Sequence, residues 1–196
     1  MRRRTFDLML SWAGVVLTVI LAIAGGLLFA SYRFANTNVA DQLTEQNIFF
    51  PAAGDEQFSD PAIGPYIEKY AGQQLTTGAQ AEAYANHYIA VHLQGVADGK
   101  TYSEVSALSR QDPENQELAG QVQTLFRGET LRGLLLNAYA FWTLGQIALW
   151  ASIAAFAAAA VMGVLTVLGF LHLRRVPAEA EVFAPKVEAR PVTVAS

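Results

Sequence analysis

The sequence predicts an all-α membrane protein in which two transmembrane helices flank a small helical extracytoplasmic domain. Three observations support this prediction: two long apolar blocks, basic clusters outside both blocks, and helix-start signals between them. The chain has 196 residues, of which 53% are hydrophobic. Because a helix needs about 20 apolar residues to cross a bilayer, each apolar block is long enough for one span.

The first apolar block predicts a cytoplasmic N-terminus at residues 1–7 and a first transmembrane helix at 8–32, a stretch without any charged residue. The alternative is a cleavable signal peptide, because Ala22-Ile23-Ala24 forms a small-x-small cleavage pattern behind a basic start. The apolar stretch continues to Tyr32, which is longer than a signal-peptide core usually is. This length favours an uncleaved anchor.

The second apolar block runs from Gly133 to Leu173 without Asp, Glu, Lys or Arg. It is longer than one span requires, and its first part contains polar side chains. We therefore place the extracytoplasmic domain at 33–143 and the second transmembrane helix at 144–173. The remaining residues, 174–196, mix Pro, Ala and charges without a period, which predicts a flexible cytoplasmic tail.

The positions of the charges predict the orientation in the membrane. An arginine cluster precedes the first block at 2–4, and another follows the second at 174–175. Basic clusters stay on the cytoplasmic side, so both termini are expected there, in a bacterial plasma membrane. Residues 33–132 hold six Lys and Arg against thirteen Asp and Glu. This acidic surface argues against nucleic acid as a partner.

Two capping boxes predict helices in the central domain. Thr77 is followed three residues later by Gln80, and Thr101 by Glu104. In each pair the hydroxyl and the third side chain can satisfy each other's free backbone N–H groups. Between the two apolar blocks no run of residues has the alternation of a strand, so the domain is expected to be helical.

Proline and glycine predict where other helices begin and end. The first helix can continue beyond the membrane until Pro51 stops it. Asp112-Pro113 places a cap residue before a proline at the first helical position, which predicts a helix start. Gly128 is expected to break that helix before the second apolar block.

No catalytic motif, cofactor-binding motif or metal-ligand set is evident, so we expect no enzyme activity and no cofactor. The chain has no cysteine, which excludes disulfides and thiolate ligands within it. His87 and His92 lie five apart, which places them about 140° apart around a regular α-helix. Metal-binding histidine pairs on a helix lie on one side, so no metal is expected here.

Small residues four apart predict helix-packing faces in both spans. They are Ala22 and Gly26 in the first span, and Ala155, Ala159 and Gly163 in the second. Small residues allow membrane helices to approach closely. Generic alanine richness explains the pattern equally well. The packing partner could be the other span, a second copy or another subunit.

Three segments of this chain, GQQLTTGAQAEAYANHYIAVHL, GKTYSEVSALSR and QTLFRGETLRGLLLNAYAFW, resemble an uncharacterised family of actinobacterial membrane proteins with two spans. The resemblance covers most of residues 1–175. Members of that family sometimes carry the label aromatic ring-opening dioxygenase. Such enzymes hold a metal between histidines and carboxylates on a soluble fold, and this sequence has no such cluster. The resemblance therefore implies a bacterial plasma-membrane protein and no particular reaction.

These observations lead to one main functional hypothesis. The chain is expected to be a non-catalytic accessory or scaffold subunit of a larger plasma-membrane complex, or a homo-oligomer. Its partners would be membrane lipid and other membrane subunits or copies of itself. The alternative is an extracytoplasmic ligand-binding or sensing module, and an enzyme of unknown type comes third.

Overall fold

The computed structural model describes residues 2–177, 180 and 182, so most of the predicted tail lies outside the described residues. The described part is mainly helical, and it includes a single antiparallel bridge between Phe49 and Gln74. The six α-helices are α1 (Arg3–Glu45), α2 (Gly64–Ile67), α3 (Gly78–Tyr84), α4 (Ala90–Val96), α5 (Tyr102–Gln111) and α6 (Gln116–Leu173). Short 3-10 helices occupy Glu56–Ser59 and Glu68–Tyr70, and a π-helix at Ala85–Ile89 joins α3 to α4.

Helices α1 and α6 are both long enough and apolar enough to cross a membrane. They have 43 and 58 residues, which corresponds to about 65 and 87 Å at 1.5 Å per residue. Only 11% of the most apolar window of each helix is buried within the protein. The core helix of a soluble protein would be mostly buried. The prediction of an all-α chain with two candidate membrane spans is therefore confirmed.

The chain divides into two compact units. Unit 1 comprises residues 1–27 and 151–196, and unit 2 comprises residues 28–150. Within unit 1 the structure describes the N-terminal part of α1 and the C-terminal part of α6. Unit 2 contains the remaining turns of these two helices and all the short helices between them.

Unit 2 is built around a hydrophobic core that draws on α1, the short helices and α6. Ile67, Leu75 and Val105 are fully buried within it. The core also contains Val39, Leu43, Phe50, Ile63, Ala81, Ala83, Ala85, Ile89, Leu93, Ala97, Leu125 and Leu135. Burial of this apolar surface is the main force that holds the short helices to the two long ones.

Both capping boxes predicted from the sequence are present. The Thr77 hydroxyl accepts from the Gln80 backbone N–H, and the Thr101 hydroxyl accepts from that of Glu104. In return the Glu104 carboxylate accepts from the Thr101 backbone N–H at 2.8 Å. The backbone and hydroxyl bonds from Thr101 lower the pKa of Glu104 below its usual value.

Three predicted helix boundaries were wrong. Asp112-Pro113 lies in a turn, and α6 begins later because Asn115 Oδ1 accepts from the backbone N–H of Leu118 at 3.1 Å and caps it. Gly128 does not break α6, which continues through it, and the glycine lies so close to Leu93 that a β-carbon would overlap the leucine side chain. Helix α1 ends before Pro51 is reached, because Asn47 adopts a left-handed conformation with φ of 52°.

Candidate functional site

In unit 1, α1 and α6 pack against each other through small and hydroxyl-bearing residues. A β-carbon added at Gly169 would lie 2.9 Å from Ser11 Oγ, and one added at Gly163 would lie 3.7 Å from Thr18 Cγ2. A β-carbon added at Gly14 would overlap Thr166 Oγ1. Residues with higher numbers in α1 contact residues with lower numbers in α6, so the two helices are antiparallel.

A buried hydrogen bond links the two helices in unit 1. The Ser152 hydroxyl donates to the Gly25 carbonyl at 2.8 Å, and Ser152 is only 1% exposed. Gly25 makes this approach possible, because a β-carbon there would lie 3.1 Å from the ring of Phe156. In an apolar environment such a bond fixes the rotation of one helix against the other.

The structure places the predicted packing residues of the two spans differently. Ala159 is buried, Ala155 is half-buried, and Gly163 faces α1 of the same chain. Ala22 and Gly26 are exposed, and a β-carbon at Gly26 would meet nothing within 4 Å. The set in α6 therefore faces the other helix of its own chain, while the set in α1 faces away from it.

The α1 residues that do face α6 were missed by the sequence reasoning. They include Ser11, Gly14, Thr18 and Gly25. Along the chain these residues are separated by three, four and seven positions, which is a heptad pattern. A spacing of 3.5 residues keeps one face of a helix against an antiparallel neighbour. A strict spacing of four drifts around the helix instead. The heptad spacing was the signal that could have identified them.

The two histidines of unit 2 contact other side chains or backbone. The His87 ring stacks on Tyr66 with the ring centroids 3.5 Å apart and the planes 5° apart. His92 Nδ1 lies 2.7 Å from the Tyr88 carbonyl oxygen. Among the described residues, no group of three or more His, Cys, Asp or Glu side chains could hold a metal ion.

Tyr84 lies at the centre of an aromatic cluster in unit 2. Its ring packs edge-to-face against Phe50 at 5.3 Å and lies 4.7 Å from that of Tyr88. Burial raises the pKa of Tyr84 to about 12, and the charge that Tyr88 would carry adds to the effect. The hydroxyl of Tyr84 therefore stays protonated well above the usual range for tyrosine, which suits a packing role.

Unit 2 has a groove of about 380 Å³ between α1 and α6, which we call the amide groove. Its lining residues are Phe34, Asn38, Val39, Gln42 and Leu43 from α1, Gln46 from the turn that follows α1, and Leu131, Leu134, Leu135, Asn137, Ala138 and Phe141 from α6. None of these side chains is charged. Val39, Leu43 and Leu135 are buried, whereas Leu134 is 63% exposed and Phe141 is 49% exposed.

The amides in this groove are arranged along α1. Asn38 and Gln42 lie four residues apart, so they follow one another along one side of the helix, and Gln46 comes in the turn directly after it. Gln42 Nε2 donates to Asn38 Oδ1 at 2.8 Å, and both side chains remain open to solvent. The groove thus combines an apolar base with neutral donors and acceptors.

A smaller recess of about 220 Å³ in unit 2 is lined by Arg132, Glu129, Lys100, Thr101 and Tyr102, among others. Arg132 donates to Glu129 at 3.2 Å and to Asn86 Oδ1 at 3.3 Å. Its Nε is buried and has no hydrogen-bond partner among the described residues. Asn86 belongs to the π-helix, and such insertions often occur at functional positions.

No family model, curated protein or solved structure matches this chain. The resemblance to an actinobacterial two-span family therefore stays a prediction.

Proposed function

We propose that this chain is a non-catalytic integral membrane protein that acts as an accessory or scaffold subunit. It would be part of a larger plasma-membrane complex, and it would bind a helix of a partner subunit in the amide groove. The observation that carries this proposal is the pair of exposed apolar side chains, Leu134 and Phe141, beside a buried apolar base.

The shape and chemistry of the amide groove suit a helix better than a small charged ligand. A groove between two antiparallel helices presents the ridges against which a third helix packs. Helix-in-groove recognition uses apolar anchors at one-turn spacing. Because no charged side chain lines the groove, the docked face of the partner helix should carry apolar residues and neutral polar residues.

The proposal includes a membrane orientation. Unit 2 would lie outside the cytoplasm, and both termini would lie within it, as the arginine clusters indicate. In intact cells a cysteine introduced at Gly99 should react with a membrane-impermeant thiol reagent, whereas one at Thr5 should be protected. Labelling of Thr5→Cys without labelling of Gly99→Cys would contradict this orientation.

The docking proposal is tested by purifying the tagged chain from its native membrane in mild detergent. Leu134→Glu and Phe141→Glu should each remove a co-purifying membrane subunit, because a charge would enter an apolar contact. Phe126→Glu is the matched control: Phe126 lies on the same helix, is 53% exposed and does not line the groove.

A photo-crosslinking amino acid at Leu134 identifies the docked species. The proposal expects a cross-link to a membrane-protein helix, and the same probe at Phe126 should give none. Purification without any partner, or a partner retained equally by all three Glu variants, would refute docking in the amide groove.

The second candidate function is an extracytoplasmic ligand-binding or sensing module, which the recess at Arg132 favours. The recess offers two cationic side chains, one carboxylate that is paired with Arg132, and a guanidinium N–H without a partner among the described residues. A zwitterion such as glycine would be matched by both signs of charge. Glycine should then raise the unfolding temperature of the protein, and Arg132→Gln should abolish the increase, whereas Arg110→Gln, at an exposed position of α5, should not.

A further inference from the structure

A second groove lies in unit 1, between the N-terminal part of α1 and the C-terminal part of α6. Its volume is about 610 Å³, and we call it the Asp7 groove. Asp7 and His172 contribute polar side chains to it, and apolar walls are formed by Leu10, Leu17, Leu165 and Leu168. It is separate from the amide groove, which lies entirely within unit 2.

The Asp7 groove changes from polar to apolar along its length. Because α1 and α6 are antiparallel in unit 1, Asp7 and His172 lie at the same end. Leu17 and Met162 lie at the other end. A polar end that leads into an apolar trough is the polarity order of an amphiphile with one headgroup and an aliphatic chain.

One oxygen of the carboxylate at the polar end lacks a hydrogen-bond donor among the described residues. Asp7 Oδ2 is buried and receives no hydrogen bond from the residues that the structure describes. Within the described part of the chain, Arg3 Nε forms an ion pair with this oxygen at 3.9 Å, which is beyond hydrogen-bond distance, and the Asp7 side chain is 21% exposed. A buried carboxylate oxygen without a donor is costly. A primary ammonium group would supply up to three N–H donors, whereas a quaternary ammonium has none.

Cationic residues lie near the same end of the groove in the sequence, although none of them lines it. Arg2, Arg3 and Arg4 precede Asp7 by a few residues, and Arg174 and Arg175 follow His172. Guanidinium groups bind phosphate oxygens through charge-assisted hydrogen bonds. The polar end therefore offers one carboxylate for a cation, and the nearby arginines could supply guanidiniums for an anion, which would match a zwitterionic headgroup.

We propose that the Asp7 groove binds one phospholipid with a primary-amine headgroup, of the phosphatidylethanolamine class. The ammonium would donate to Asp7, the phosphate would lie beside the arginines, and one acyl chain would follow the leucine walls. The proposal requires unit 1 to lie in a membrane, but it does not depend on a partner in the amide groove.

Native mass spectrometry of the full chain tests the proposal. The protein in detergent would receive equal amounts of dioleoyl phosphatidylethanolamine, phosphatidylcholine and phosphatidylglycerol. We expect phosphatidylethanolamine to be retained about tenfold more than either of the others, the factor that one charge-assisted hydrogen bond supplies. Equal retention of the three lipids would indicate non-selective lipid around the helices and would overturn the proposal.

Three variants locate the site. Asp7→Asn should remove the preference for phosphatidylethanolamine while the helix content stays unchanged. Ala13→Trp should displace the bound lipid by filling the groove, whereas Ala157→Trp should not, because Ala157 is exposed on α6 and does not line the groove. A preference that survives Asp7→Asn or Ala13→Trp would place the lipid elsewhere and refute the assignment. Failure of the partner to co-purify would leave these outcomes unaffected.

Discussion

The close approach at Gly14 in unit 1 gives a direct test of the helix pairing. A methyl group at Gly14 would overlap Thr166 Oγ1, whereas one at Gly26 would meet nothing within 4 Å. Both glycines lie in the interior of α1, so their intrinsic helix preferences are the same. The difference between Gly14→Ala and Gly26→Ala therefore isolates the packing of α1 against α6.

The expected magnitude follows from two opposing effects. Replacing glycine by alanine inside a helix stabilises the helix by about 0.5–1 kcal/mol, and Gly26→Ala should show this gain. Overpacking at Gly14 should cost about 1–3 kcal/mol. Thr166 is 9% exposed and β-branched, so its side chain has few alternative rotamers with which to avoid the new methyl group. Gly14→Ala should thus be less stable than Gly26→Ala by about 1–3 kcal/mol.

The assay uses the absence of native cysteine. Cysteines at Met9 on α1 and Leu171 on α6, both exposed in unit 1, would carry a donor and an acceptor dye. Energy transfer during titration with sodium dodecyl sulfate then reports separation of the two helices. Gly14→Ala should lower the midpoint relative to Gly26→Ala. Adding Thr166→Ala to Gly14→Ala should restore it, because the nearest remaining atom, the Cβ of residue 166, lies at an ordinary 3.5 Å.

Two results would refute this reasoning. Equal midpoints for the two alanine variants would mean that α1 and α6 do not approach closely at Gly14. A lowered midpoint that Thr166→Ala fails to restore would mean that another contact causes the loss.

Three further predictions concern both units. Ser152→Ala should destabilise the helix pair by about 0.6 kcal/mol, and by no more than about 1.7 kcal/mol, and so lower the same midpoint, because it removes the hydrogen bond to the Gly25 carbonyl. Ala159→Leu should lower it as well, whereas Val161→Leu, at a position 60% exposed, should not. Because the pKa of Tyr84 is raised to about 12 in the folded chain, the stability of unit 2 should be complete below pH 10 and fall as the pH rises from about 10 to 12. Tyr84→Phe should weaken this alkaline loss in thermal unfolding measured by circular dichroism, and an unchanged profile would contradict it.

Local chemistry made several features of the fold readable from the sequence. The capping boxes at Thr77 and Thr101 involve residues three apart, so no distant partner is needed to form them. The two apolar helices were equally readable, because span length and the absence of charge depend only on consecutive residues. The start of α6 after Asn115 was missed because the neighbouring Asp112-Pro113 is also a typical capping sequence. Only the structure shows that Asn115, and not Asp112, caps the helix.

The sequence by itself determined that the chain is all-helical, that it carries two helices long and apolar enough for a membrane, and that short capped helices lie between them. Tertiary structure alone decided which small residues of α1 meet α6, since Gly14 and Gly25 do and Ala22 and Gly26 do not. It also decided that Gly128 continues α6 beside Leu93. The physical reason is that a glycine has no side chain whose chemistry would indicate which residue it contacts. Its role depends on what approaches it, and that neighbour comes from a distant part of the chain.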